Sequence, residues 1–292
     1  MALPRHDTLV TYPDGATTST GTVVHVQPLG GGRSAVLLDR TAFHPVDTAW
    51  PDQPTDRGVL RDGDDVWPVL DGLTGGIHDE ALHVGAHLPV RGGTEGWTFV
   101  VAHVVEGDAP EIGRAVTVEV DAAHRLALSA GHTGCHLASL ALDSALAGAW
   151  TKSPPLDARG APAFDQLAIQ RSRIVTGGSV DAYRIGKSLR RKGFDPSVLA
   201  DLAPIAAEVD AQLAAWIGHG GAVRIDRAAD HLSARRTWVC ALPDGDVSIP
   251  CGGTHLASLA EIEAVAVELR TSEVEGGLEL EMVTRVTLRD SH

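Results

Sequence analysis

The sequence predicts an α+β protein: a small β-barrel over residues 1–108, then a domain over 109–292 in which helices pack on an antiparallel sheet. Three observations carry this expectation. The first hundred residues are short β-branched or alternating runs separated by GGGRS, YPDG, RDGDD, TGG and RGGTEG, the pattern of many short strands joined by Gly-rich turns. An Ala/Leu-rich run, HTGCHLASLALDSALAGA, then has helical character. The chain closes on two alternating strands, AVAVELR and LELEMVTRVTL.

In order, TVVHVQPL, SAVLLDRTAF, VWPVLD, ALHVGAHLPV and WTFVVAHVVE are the barrel strands. FHPVDTAWPDQPTDRG interrupts them with three prolines and reads as a surface loop. EGDAPEIG is a linker, and RAVTVEVDAAHRL a strand. The helix that follows takes Ser129 or Gly131 near its N-cap. Residues 151–168 contain three prolines and form a loop or arm. DPSVLADLAPIAAEVDAQLAAWIG reads as one helix, opened by Asp195 with Pro196 in the first turn and kinked at Pro204. VRIDRAADHL and TWVCALPDG are shorter strands, and LASLAEI is a short helical segment.

Composition excludes several classes. The net charge is −14, which argues against a protein that coats nucleic acid, DNA included, but permits a local RNA-binding patch on an acidic body. Three cysteines, Cys135, Cys240 and Cys251, make no disulfide framework, so a reducing cytoplasm is the expected compartment. The start, MALPRHDTLVTYPDG, lacks the apolar core of a signal peptide. No run approaches the roughly 18 apolar residues of a membrane span, and no membrane partner is expected.

Chemistry concentrates in two short stretches. His132 and His136 stand four apart in SAGHTGCHLASLAL; on a helix they share one face, one turn apart. Cys251 and His255 have the same spacing in PCGGTHLASLAEI. Gly252 and Gly253 let that backbone curl so that both side chains converge. Two imidazoles plus a thiolate and an imidazole suit Zn2+. Buried thiols and core histidines offer an alternative reading of the same letters. Cys135 points elsewhere around the helix and is read as core packing. His83 and His87 repeat the spacing on a strand, where four residues span about 13 Å and cannot share one ion. Four protein ligands suggest a structural site and three a catalytic one; that choice stays open. No Glu lies between His132 and His136, so the protease helix with its general base is absent. The main basic cluster, Arg184, Lys187, Arg190, Arg191 and Lys192, lies in DAYRIGKSLRRKGF, with Tyr183, Ile185, Leu189 and Phe194 as its apolar anchors.

HTGCHL and CGGTHLASLAEI together resemble the alanyl-tRNA editing family, the free-standing AlaX proteins, whose module also occurs in alanyl- and threonyl-tRNA synthetases. Glu261 and Ile262 fit its pattern, while Glu263 replaces a glycine. LLDRTAFHPVDTAWPDQPTDRGVL is similar to its strand and glycine-rich loop at Thr41, Phe43, Pro45, Gln53, Asp56 and Gly58. Arg285 and Val286 fit the closing strand. The resemblance spans about residues 20 to 290. It implies an editing domain over 109–292 and a hydrolase of the ester that joins an amino acid to the 3′ end of tRNA. His132, His136, Cys251 and His255 would then be the Zn2+ ligands. Thr41, Gln53 and Asp56 would line the aminoacyl pocket, and Gly252, Gly253 and Thr254 would offer close backbone approach. The substrate implied is serine or glycine mischarged on alanine tRNA. The family's three loop glycines fall here in Asp47-Thr48-Ala49-Trp50-Pro51-Asp52. Trp50 therefore joins the pocket list, and a threonine analogue such as fluorothreonine on threonine tRNA becomes a second substrate expectation. A zinc-stabilised module that binds aminoacyl-tRNA without hydrolysis is a third. Arg184, Lys187, Arg190, Arg191 and Lys192 would contact the acceptor end of the tRNA.

Overall fold

The structure, a computed structural model, describes residues 3–48 and 50–290. It is α+β, and its sheets are antiparallel apart from one two-residue parallel pair. Contacts divide the chain into two compact units. One holds residues 1–126, 225–237 and 250–254, and the other 127–224, 238–249 and 255–292. A three-stranded sheet joins β13 (Val223–Arg227), β14 (Arg236–Leu242) and β15 (Gly245–Pro250), in that order. Among the described residues, no helix is long and apolar enough to cross a membrane.

The first unit is built on an eight-stranded sheet. Its strands are β2 (Thr18–Gly30), β3 (Arg33–Leu38), β5 (Gly58–Asp62), β6 (Asp65–Val69), β7 (Asp71–His78), β8 (Ala81–Val84), β9 (Thr98–Glu106) and β10 (Ala115–Val120), in the order β6-β5-β10-β2-β3-β9-β7-β8. Two short strands, β1 (Leu9–Val10) and β4 (Arg40–Thr41), pair in parallel beside it. The run SAVLL is apolar without alternation because both of its faces are covered. Val36 and Leu38 join one cluster with Leu60, Val69, Val105, Val116 and Val118, while Ala35 and Leu37 join another with Ile77, Val100 and Ala102. No ladder closes the predicted barrel: among the described residues β6 and β8 do not pair with each other. The chain itself spans the opening, since β6 runs into β7 through Leu70, whose N–H donates to Val104 O at 2.8 Å.

Residues 43–58 are less of a surface loop than their prolines suggest. Phe43, His44, Gln53 and Asp56 are buried. Asp56 explains much of this, because its carboxylate accepts the His44 N–H at 2.6 Å and draws the loop inward. Within the loop sequence expected to replace the family's glycines, Ala49 lies outside the described residues.

The second unit carries a sheet in the order β11-β12-β17-β16, from β11 (Ile169–Val175), β12 (Gly178–Ile185), β16 (Ile262–Val274) and β17 (Gly277–Leu288). Its helices are α1 (Ala122–Ala145, the first turns of which belong to the other unit), α2 (Phe164–Ala168), α3 (Lys187–Arg191) and α4 (Ala203–His219). α1 begins seven or more residues before the expected N-cap. Asp121 is the reason: its Oδ1 accepts the His124 N–H at 3.0 Å, the geometry of a capping carboxylate. DAAHRL is therefore helix and not strand, and Ser129 and Gly131 are interior. At Gly131 an added Cβ would lie 2.4 Å from Gly178 O, so bare backbone there lets the helix rest directly on the β11–β12 turn. Gly134 does the same beneath Val286, where an added Cβ would come within 2.4 Å of Cγ2.

The helix expected from Asp195 is two elements. Asp195 caps a short 3-10 turn, Pro196–Ala200, through Ser197 N–H. α4 then starts afresh, with Pro204 in its first turn. A proline lacking N–H fits that position without a kink. The buried residues Ile205, Val209, Leu213, Trp216 and Ile217 form its apolar stripe. The Asp210 carboxylate accepts the Val267 N–H at 2.9 Å, covering the β16 edge. Among the described residues, the opposite edge, β11, has no further strand beside it.

Candidate metal centre

Helical pitch puts His132 and His136 on one face of α1 as anticipated, with ring centroids 4.9 Å apart. His255, on the loop after β15, brings its ring to 4.3 Å from His132 and 5.1 Å from His136. The buried Trp238 backs this triad at 5.0 Å from the His136 ring. The possible ligand atoms of His132, His136, Cys251 and His255 all lie within 4.8 Å of one another. This is the one group of three or more His, Cys, Asp or Glu side chains among the described residues placed to hold an ion.

The donor set fits a cation. His136 Nε2 is buried with no hydrogen-bond partner among the described residues, a costly state unless something accepts its lone pair. Burial pushes this imidazole down to about 4, so it is neutral near pH 7, the form that ligates. Burial likewise pushes the Cys251 thiol up to about 12, with the Asp52 carboxylate adding to the rise; a nearby divalent cation is what makes such a sulfur a thiolate. Thr133 Oγ1 lies 3.4 Å from His255 Nδ1 and accepts the Leu256 N–H at 3.1 Å. A His255 whose Nδ1–H donates to that oxygen keeps its Nε2 lone pair for an ion.

Within the first unit, Gln53 holds Thr254 of the CGGTH loop. Gln53 Nε2 donates to Thr254 Oγ1 at 2.9 Å, and the Thr254 N–H returns a bond to Gln53 Oε1 at 2.9 Å. Both ends of this amide are thus used on one threonine. Gly252 is exposed, and a Cβ there would meet no atom within 4 Å. Gly253 and Thr254 are buried.

Of the other residues expected in the pocket, Thr41 and Asp56 are buried. Asp56 Oδ1 accepts Arg125 Nε–H at 2.7 Å and Oδ2 accepts an Nη2–H of the same guanidinium. The Thr41 hydroxyl donates to His103 Nε2 at 2.9 Å and accepts the Phe43 N–H at 3.0 Å. The direction follows from His103 Nδ1, which donates to Val36 O at 3.0 Å. Trp50, by contrast, is 43% exposed.

Of the basic segment, Lys187, Arg190, Arg191 and Lys192 are exposed on and just after α3. Arg184 lies on β12, half-buried, and donates to Glu275 O. The anchors Tyr183, Ile185, Leu189 and Phe194 are all buried. Cys135 is outside the ligand group, but its surroundings are polar: its Sγ is 3.6 Å from both Asp181 carboxylate oxygens. His83 lies beside Trp97, ring centroids 5.5 Å apart, and His87 is exposed.

Three imidazoles and a thiol gathered on an antiparallel α+β frame define a protein equipped to hold a borderline divalent cation. No protein-family model matches the chain. It is 30% identical over 239 residues to an alanine–tRNA ligase of Pyrobaculum neutrophilum, covering 80% of this chain and 22% of that protein. To the alanyl-tRNA editing protein AlaX-L of Pyrococcus horikoshii it is 26% identical over 235 residues, 80% of this chain and 47% of the relative. A third match, the alanine–tRNA ligase of Pyrobaculum calidifontis, reaches 37% identity over 102 residues, 35% of this chain and 9% of that one. The chain thus spans less than half the length of each of these relatives. It belongs to the alanyl-tRNA editing, AlaX-like, family.

Proposed function

We propose that the chain is a trans-acting aminoacyl-tRNA deacylase, a carboxylic ester hydrolase that uses Zn2+ held by His132, His136, Cys251 and His255 to clear serine or glycine from alanine tRNA. The observation that supports this most directly is the convergence of those four side chains within 4.8 Å in a chain of this family. A bound Zn2+ would supply positive charge for the ester carbonyl or the amino acid itself. The chain's own residues do the placing. The exposed, side-chain-free backbone at Gly252 leaves room for the ester to approach. Gln53 fixes the neighbouring Thr254 through two hydrogen bonds, so donors near the ester need not reorganise when charge develops there. Thr41, Gln53 and Asp56 serve this site from behind, by holding loops, and Trp50 meets the amino acid.

The Trp50 loop favours a second substrate reading. Asp47, Trp50 and Asp52 stand where flexible glycine is the family habit, and Trp50 is open to solvent. A threonine analogue such as fluorothreonine on threonine tRNA is therefore the alternative substrate. The test is amino-acid release from a panel of charged tRNAs, with and without chelator, alongside metal analysis. Release that depends on about one Zn2+ per chain, and that His132→Ala or Cys251→Ala abolishes together with metal loading, is the expected result. Full metal content in either variant, or release unaffected by chelator, would overturn the zinc assignment. Binding of charged tRNA without release would make the chain a binding module instead.

A further inference from the structure

The chain contains three lysines, Lys152, Lys187 and Lys192, and the fold collects all three at one place. Lys152 Nζ donates to Arg191 O at 2.9 Å, at the end of α3. The segment around it is fastened there: Thr151 N–H donates to Gly193 O at 2.8 Å, Trp150 bridges to Phe194, and their rings meet edge-on at 5.2 Å. Gly193 makes the close approach possible. Its φ is +105°, and a Cβ on it would fall 2.8 Å from Lys152 Cβ. Leu189 and Phe194 are buried beneath, so the turn is seated firmly. Lys152, Lys187, Arg190, Arg191 and Lys192 are all exposed, and no ion pair engages any of them among the described residues. The nearest acid in sequence, Asp195, is occupied with the Ser197 N–H.

We infer that these five side chains form one phosphate-contacting surface for the backbone of RNA, with Lys152 as the member that sequence proximity hides and Arg184 outside it. The inference rests on the aminoacyl-tRNA reading above. On a body of net charge −14, an unpaired cluster of five cations is where a polyanion is drawn in. Lysine ammonium groups are mobile point charges with three donors each, suited to phosphate oxygens at variable position. Every lysine of the chain serves here, while many of its arginines are bound to carboxylates or carbonyls elsewhere.

The experiment uses the variant Lys152→Gln/Lys187→Gln/Lys192→Gln, measuring tRNA affinity against salt and hydrolysis of two substrates, charged tRNA and the phosphate-free 3′-aminoacyl adenosine. The log–log salt slope should shrink by about 2.7, at about 0.9 per lost contact, with tRNA affinity down about tenfold or more. Hydrolysis of aminoacyl adenosine should not change. Amine acetylation of the wild-type protein, which removes the lysine charges, should reproduce the loss; reductive dimethylation, which keeps them, should not. An unchanged slope in the triple variant, or a wild-type protein that binds no RNA, overturns the surface. A lysine-dependent slope in a protein that hydrolyses neither substrate upholds the surface and refutes the deacylase reading alone.

Discussion

Asp56→Asn should destabilise the protein by about 3–5 kcal/mol, the usual result of removing one partner from a buried ion pair. The Arg125 and Asp56 side chains are 4% and 0% exposed. Three donors converge on the carboxylate: Arg125 Nε and Nη2, and the His44 N–H. Asparagine keeps one acceptor oxygen and turns an NH2 toward one of those donors. The guanidinium is then buried and charged beside a neutral amide, with the asparagine oxygen, Ala42 O at 2.8 Å and Ala16 O at 3.3 Å as its acceptors. Urea unfolding followed by fluorescence and by far-UV dichroism would measure the loss, the two probes also testing whether the units unfold together. Asp56→Leu with Arg125→Met removes both charges and should cost less than the sum of the single changes. A shift of under about 1 kcal/mol for Asp56→Asn would refute the account of this pair as the tie that draws the loop inward.

Two further outcomes follow from the same geometry. Thr133→Val removes the oxygen beside His255 Nδ1 and should weaken metal affinity about tenfold, the lower end for partners of metal-ligating histidines; a chelator competition giving equal affinity would rule out that orienting role. Burial pushes His44 and His103 down to about 4 from 6.5, so the unfolded chain binds more protons between those values. Stability should be full above about pH 6.5 and fall as pH drops toward 4, on the order of 3 kcal/mol per group. His103→Gln should flatten the pH dependence of the unfolding midpoint, and an unchanged slope would remove His103 from the explanation.

Local patterns in the sequence carry much of this architecture. Alternation in AVAVELR and LELEMVTRVTL places the closing hairpin, and the i, i+4 spacing places two imidazoles on one helical face. Misreadings arise where a short-range signal had two physical meanings. Asp121 before two alanines is a helix cap, but after VTVEV it reads as the end of a strand. Pro204 is a kink inside a helix and a start at its first turn; only the break after Ala200 decides between them. Long-range pairings leave no local trace at all. Gln53 and Thr254 are 201 residues apart, and nothing near Lys152 points to α3. Cys135, in an Ala/Leu run, looks like a small apolar filler until Asp181 is seen facing it from the next layer.

The two glycines that let α1 touch main chain at Gly178 and crowd Val286 have a lasting effect on how this protein can change. A helix resting on side chains can be raised, lowered or rolled by trading one side chain for another. One resting on peptide oxygen cannot, because no substitution trims a carbonyl. The pair of imidazoles on α1 therefore keeps its height and angle whatever mutations accumulate around it. Under the proposed function, a search for altered selectivity should therefore begin away from α1, with Trp50 as the first position to vary.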